Sequence, residues 1–69
     1  MGNFMKIGDV FWYVHNFETY LVIGKNNSKI QIVLLYYNYE ELVGNIYEYE
    51  ESFFMNNENY KFLPINRLF

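Results

Sequence analysis

Runs of β-branched and aromatic residues of strand length recur along this chain, interrupted at short intervals by Asn, Gly and Glu. Gly8 to His15 (GDVFWYVH) is dense in β-branched and aromatic residues and predicts a first strand. Asn16 to Glu18 reads as a turn. Thr19 to Lys25 (TYLVIGK) predicts a second strand. Asn26-Asn27-Ser28 then predicts a tight connection, because Asn tolerates left-handed backbone angles. Lys29 to Tyr37 predicts a third strand. A polar turn over Asn38 to Glu41 leads to a fourth, Leu42 to Glu50, with Gly44 as a candidate bulge. The alternation fails over Glu51 to Asn59, where two adjacent Phe precede polar residues. A short helical turn is expected there, with Ser52 as its N-cap. Tyr60 to Pro64 predicts a short last strand, stopped by Pro64, and INRLF is left as a tail with room for one more turn.

Two of these strands are apolar on both faces. A strand with one solvated face should alternate cleanly. In the first, Val10, Trp12 and Val14 share one face, and Phe11, Tyr13 and His15 share the other. In the third, Ile30, Ile32, Leu34 and Tyr36 oppose Gln31, Val33, Leu35 and Tyr37. A small domain has one core and cannot bury both sides of two strands. Either the tail covers the second face, or an apolar patch is left for a partner or for another copy of the chain.

The fold class this predicts is mainly β: a five-stranded SH3-like barrel with one short helical turn before the last strand, forming one domain over 1–69. An OB-fold is the rival, but it wants a longer helix between its third and fourth strands and more residues. The opening KIGDVFW resembles the start of small SH3-like domains, where a Gly-Asp turn leads into the first strand. In element order the chain resembles small SH3-like β-barrel proteins of phages or mobile elements. LLYYNYEE (Leu34 to Glu41) is similar to the aromatic-acidic motif of polyproline-binding SH3 domains. That motif opens those domains and lies mid-chain here, so no peptide-binding residues are carried over.

Composition sharpens this reading. A chain of 69 residues buries only about 60% of its unfolded surface. With no cysteine, neither disulfides nor thiolate zinc sites can staple it. Sixteen aromatic residues supply the compensating mass, each able to bury roughly 150–250 Å². Asn, Ile, Lys, Tyr and Phe, all with AT-rich codons, make up 35 of the 69 residues, and Ala is absent. Mutational bias in an AT-rich genome accounts for that; together with the small size and the lack of any mark of a larger enzyme, it leads to the expectation of a phage or mobile-element gene of a low-GC bacterium. The N-terminus lacks a signal-peptide pattern, and Lys6 stands where a myristoylation motif needs Ser or Thr. No run of about 18 apolar residues occurs. The expected location is the cytoplasm, that of the host if the gene is phage-borne, with no membrane partner.

Charge is uneven. Residues 30–60 hold six glutamates and neither Lys nor Arg. Tyrosines are interleaved with them, and along the fourth strand acids and rings should face opposite sides. The candidate partner-binding residues are therefore Tyr36, Tyr37, Tyr39, Glu40, Glu41, Tyr47, Glu48, Tyr49, Glu50 and Glu51. The alternative is that these glutamates form a solvated face that keeps strand edges unpaired. As an interface, the segment would suit a basic protein: tyrosine is favoured at interfaces, and negative charge speeds encounter with a positive partner.

Catalytic chemistry is nearly absent from the composition. One histidine, one aspartate and no cysteine leave no triad and no histidine-based metal cluster. His15 is expected to be structural. Four scattered glycines make no phosphate loop. Phosphate neutralisation needs basic charge, so direct nucleic-acid binding is disfavoured. No catalytic residue, cofactor or metal is assigned. The expectation is a non-enzymatic protein-binding module, for instance an inhibitor of a host defence or nucleic-acid-processing protein. A small-ligand protein with an aromatic cleft for a nucleotide or sugar, and a homo-oligomeric accessory protein, are the alternatives.

Overall fold

The computed structural model describes residues 5–63. Within them the chain is mainly β: strands β1 (Val10–Tyr13), β2 (Thr19–Asn26), β3 (Lys29–Tyr36), β4 (Ile46–Glu50) and β5 (Tyr60–Leu63) form one antiparallel sheet in the order β4-β3-β2-β1-β5. A 3-10 turn, Glu40–Leu42, precedes β4, and a one-turn helix α1, Ser52–Met55, precedes β5. β4 and β5 are the two edges and do not pair with each other, so the sheet is open. No helix among the described residues is long and apolar enough to cross a membrane.

Left-handed residues set the turns. Gly8, at φ +100°, lets the chain reverse over Lys6 to Asp9. The Asp9 backbone N–H donates to the Lys6 carbonyl, and the Lys6 N–H donates to the Asp9 carboxylate at 2.8 Å. This is the Gly-Asp turn expected from KIGDVFW, and it shortens the first strand: β1 begins at Val10, not Gly8. Asn27, at φ +59°, closes the β2–β3 hairpin. Gly44, at φ +97°, donates to the Leu34 carbonyl, while the Leu34 N–H donates to Asn45 O. Two successive residues thus face one, the geometry of a bulge led by a left-handed glycine. Leu42 belongs to the 3-10 turn, so β4 starts at Ile46 rather than at Leu42. Ser52 is the first helical residue and not the cap: Glu51 takes the N-cap position, without a side-chain cap bond.

Two further bulges decide which side chains face the core. In the β2–β3 ladder, pairing passes from Val22↔Ile32 to Gly24↔Gln31, leaving Ile23 as the extra residue. That slip turns Lys25 to the inner face, opposite Ile30. Pairing also passes from Thr19↔Tyr36 to Tyr20↔Leu34, leaving out Leu35. Tyr36 therefore does not share the face of Ile30, Ile32 and Leu34 as strict alternation expects. It joins Thr19 and Trp12 on the outer face.

The core lies against the inner face. Met5, Phe11, Val22, Ile30, Ile32 and Phe54 are buried together, and each such side chain contributes about 1.5–3 kcal/mol. The Phe11 ring is its centre, in contact with the rings of Tyr20, Phe54, Tyr60 and Phe62 at 4.6–5.9 Å. Helix α1 places Phe54 over the open inner face. The residues expected to form a tail, INRLF, lie outside the described residues.

Candidate partner-binding surface

The acidic-tyrosine segment does not form one surface; the fold distributes it over several places. Tyr36 is exposed on the outer face. Tyr37 and Tyr39 follow β3, their rings 5.3 Å apart and edge to face. Glu40 and Glu41 are exposed in the 3-10 turn. Along β4 the acids and rings separate. Tyr47 and Tyr49 stand beside Ile32 and Ile30 on the inner face, whereas Glu48 and Glu50 stand beside Gln31 and Lys29 on the outer one. There Glu48 accepts from Gln31 Nε2 at 2.6 Å and Glu50 from Ser28 Oγ at 2.8 Å.

Glu51 is a correction to the expected surface. It is 6% exposed. Its Oε2 accepts from the Met5 backbone N–H at 2.6 Å and from Lys25 Nζ at 3.0 Å, and Lys25 Nζ also donates to the Met5 carbonyl. Glu51 thus joins the N-terminal segment to β2 and the β4–α1 junction. A carboxylate engaged in this way is part of the internal structure of the chain rather than of an exposed acidic face.

Residues that the sequence did not single out complete the ring-lined side of β4. Tyr49 stacks on Phe53 at 5.8 Å and 19°, and both are about half exposed. Phe53 meets Tyr60 at 6.3 Å, Tyr60 meets Tyr13 at 5.2 Å, and Tyr13 meets the His15 ring at 5.1 Å. Tyr47 lies 6.5 Å from Tyr20. A continuous band of rings therefore runs across the gap between the sheet edges, from β4 over α1 to β5 and β1. Among the described residues, Glu18 is the carboxylate whose charge acts on this band. Glu18 stands close enough to Tyr20 and Tyr60 for its charge to act on both hydroxyls.

Burial is the main reason that the Tyr20 hydroxyl holds its proton far above the usual tyrosine range; the nearby Glu18 carboxylate adds to it, with Tyr60 and Tyr49 contributing. Tyr60 is raised in the same direction, first by burial and then by Glu18, Tyr13 and Tyr49. At neutral pH both hydroxyls are protonated and able to donate. His15 is not on a strand: β1 ends at Tyr13, and the exposed His15 ring contacts Asn59 Oδ1 through Nε2 at 3.2 Å.

The turn that carries Glu18 is held by Tyr13 N–H to Glu18 O at 2.9 Å and Phe17 N–H to Tyr13 O at 2.8 Å. Phe17, at its tip, is 62% exposed and left-handed at φ +62°, a conformation that costs a bulky residue about 1–2 kcal/mol. The sequence signal for this half of the surface is the second apolar face of the first strand, which carries Tyr13 and His15. Glu18 looked like an ordinary turn residue. Compared with family models, curated proteins and solved structures, the chain matches none.

Proposed function

We propose that this chain is a non-enzymatic protein-binding module, built on an SH3-like barrel, whose ring band around Glu18 receives a basic segment of a partner protein. The fold reading is supported by the meander β1 to β4, by the return of β5 to pair with β1, and by the short helix just before β5. The observation that carries the function is the half-exposed stack of Tyr49 on Phe53, continuous with Tyr60 and Tyr13 and bordered by Glu18. Ring faces attract Lys and Arg head groups, each worth about 0.5–1 kcal/mol at exposed sites. Unionised tyrosine hydroxyls supply hydrogen bonds, and Glu18 supplies the opposite charge. The non-enzymatic reading is supported by the residue types present, with one histidine and no cysteine.

Selection from a displayed random-peptide library tests this. Recovered peptides should be rich in Lys or Arg and bind more weakly as salt rises. Tyr49→Ala with Phe53→Ala should abolish capture, and Glu18→Gln should weaken it. Peptides without basic residues, or binding indifferent to all three substitutions, would refute the proposal.

A further inference from the structure

The order β4-β3-β2-β1-β5 leaves two strand edges, and they are unequal. Backbone groups of successive strand residues point alternately to the two sides of the strand. In β4 the odd-numbered residues turn to β3. The Leu34 N–H donates to the Asn45 carbonyl, the Glu51 N–H donates to the Ser28 carbonyl, and the register between them is unbroken. The N–H and C=O groups of Ile46, Glu48 and Glu50 therefore point away from the sheet, along an edge that no strand among the described residues covers. β5 is the poorer edge. The Val14 N–H donates to the Asn59 carbonyl, so Tyr60 and Phe62 are the outward residues of β5. The Tyr60 N–H already donates to the Asn57 carbonyl, and Pro64, which follows the strand in sequence, has no N–H to give.

A strand added at the β4 edge would bond to these groups and set its side chains alternately beside those of β4. On the outer side it would meet Glu48 and Glu50, both exposed; on the inner side it would meet Tyr47 and Tyr49, with Phe53 stacked on Tyr49. Lys29, the cross-strand neighbour of Glu50, belongs to β3 and so lies on the far side of β4 from this edge. Opposite charges facing each other across a strand pair stabilise it, and like charges destabilise it. A second copy of β4, laid antiparallel along its full length, brings Glu48 opposite Glu48. An apolar strand gives neither acid an opposite charge. The complement is a strand whose residues opposite Glu48 and Glu50 are Lys or Arg. The residue between them falls opposite Tyr49, where a Lys or Arg meets the ring band. Three successive basic residues in an extended segment satisfy both sides.

We propose that the basic segment binds as a sixth strand on the open edge of β4. Its backbone bonds to Ile46, Glu48 and Glu50, two of its basic side chains lie beside Glu48 and Glu50, and the basic side chain between them lies on Tyr49 and Phe53. This rests on the ring-band reading of function and adds to it the conformation and the residue spacing of the segment that is recognised.

Amide hydrogen exchange of the full chain, followed by NMR, tests it with the synthetic peptide Thr-Val-Lys-Arg-Lys-Val-Thr as the probe. When the peptide binds, the Ile46, Glu48 and Glu50 amides should exchange about tenfold more slowly or better. N-methylation of one alternate set of the peptide's amides should weaken binding about tenfold or more, and N-methylation of the other set should leave it unchanged. Glu48→Gln with Glu50→Gln should weaken binding several-fold, yet have no effect on a peptide whose two Lys are replaced by Gln. Amide spectra establish that the variant is folded. Ring signals of Tyr13, Tyr49 and Tyr60 that shift while the three β4 amides still exchange at the free rate overturn the added strand and leave the ring band standing. Binding indifferent to N-methylation of either set does the same. Protection of the three amides that persists in Tyr49→Ala with Phe53→Ala supports the edge and overturns the ring band instead. A peptide that fails to bind at up to about 1 mM overturns both.

Discussion

Replacing Glu51 removes the bond that ties three parts of the chain together, and its cost follows from the geometry. In Glu51→Ala the buried Met5 N–H loses its acceptor, and Lys25 Nζ keeps only the Met5 carbonyl of the two partners described above. A hydrogen bond to a charged group contributes about 1.5–3 kcal/mol. The bond from Met5 takes that value in full, since Met5 is 2% exposed. The Lys25 side chain is 28% exposed, which reduces its share to about 1 kcal/mol. The total is about 3 kcal/mol. A chain of this length has a whole stability of about 3–10 kcal/mol. Thermal unfolding followed by circular dichroism should therefore show Glu51→Ala melting more than about 10 °C below wild type, at about 4–8 °C per kcal/mol. Glu51→Gln keeps an acceptor for Met5 and should lose only about 1–2 kcal/mol. A double-mutant cycle with Lys25→Met should return a coupling of about 0.5–1 kcal/mol. If Glu51→Ala melts within about 3 °C of wild type, Glu51 is not the tie described here.

Three other outcomes follow from the backbone and the tyrosines. Gly44→Ala should destabilise by about 1–2 kcal/mol in urea unfolding, from backbone conformation alone, because nothing lies within 4 Å of the added methyl. Phe17→Asn should raise stability by about 0.5–1 kcal/mol, since Asn tolerates the left-handed angle and an exposed ring gives up little. In a spectrophotometric titration, Tyr20 and Tyr60 should stay protonated as exposed tyrosines ionise near the usual value of about 10. Their raised folded-state values mean that the native state holds the protons more tightly. That contribution to stability is complete below about pH 10 and declines as pH rises beyond it. Glu18→Gln should let Tyr20 ionise at lower pH, and no change on that substitution would contradict the influence of Glu18 on its hydroxyl.

Much of the fold is legible in the sequence because its signals are local. Runs of β-branched and aromatic residues between polar turns locate all five strands, and Gly8, Asn27 and Gly44 mark three of the left-handed positions by residue type. The bulges at Ile23 and Leu35 leave no such mark. Both extra residues are apolar, so the pattern runs through them unbroken while the faces of Lys25 and Tyr36 exchange. Glu51 reads as one more solvated acid because its partners are 26 and 46 residues away. The ring band is hidden for the same reason: Tyr13, Glu18 and Tyr49 come together only when β5 returns to β1. Separation of acids from rings along β4 was legible, being a matter of parity within one strand.

The measurement closest to the central claim is an amide and aromatic-ring NMR titration with a Lys- or Arg-rich peptide taken from the display selection. Signals of Tyr13, Glu18, Tyr49, Phe53 and Tyr60 should shift on binding, while those of Val10, Leu21 and Val33 should not. Shifts confined to the outer face, or to Glu48 and Glu50, would contradict it.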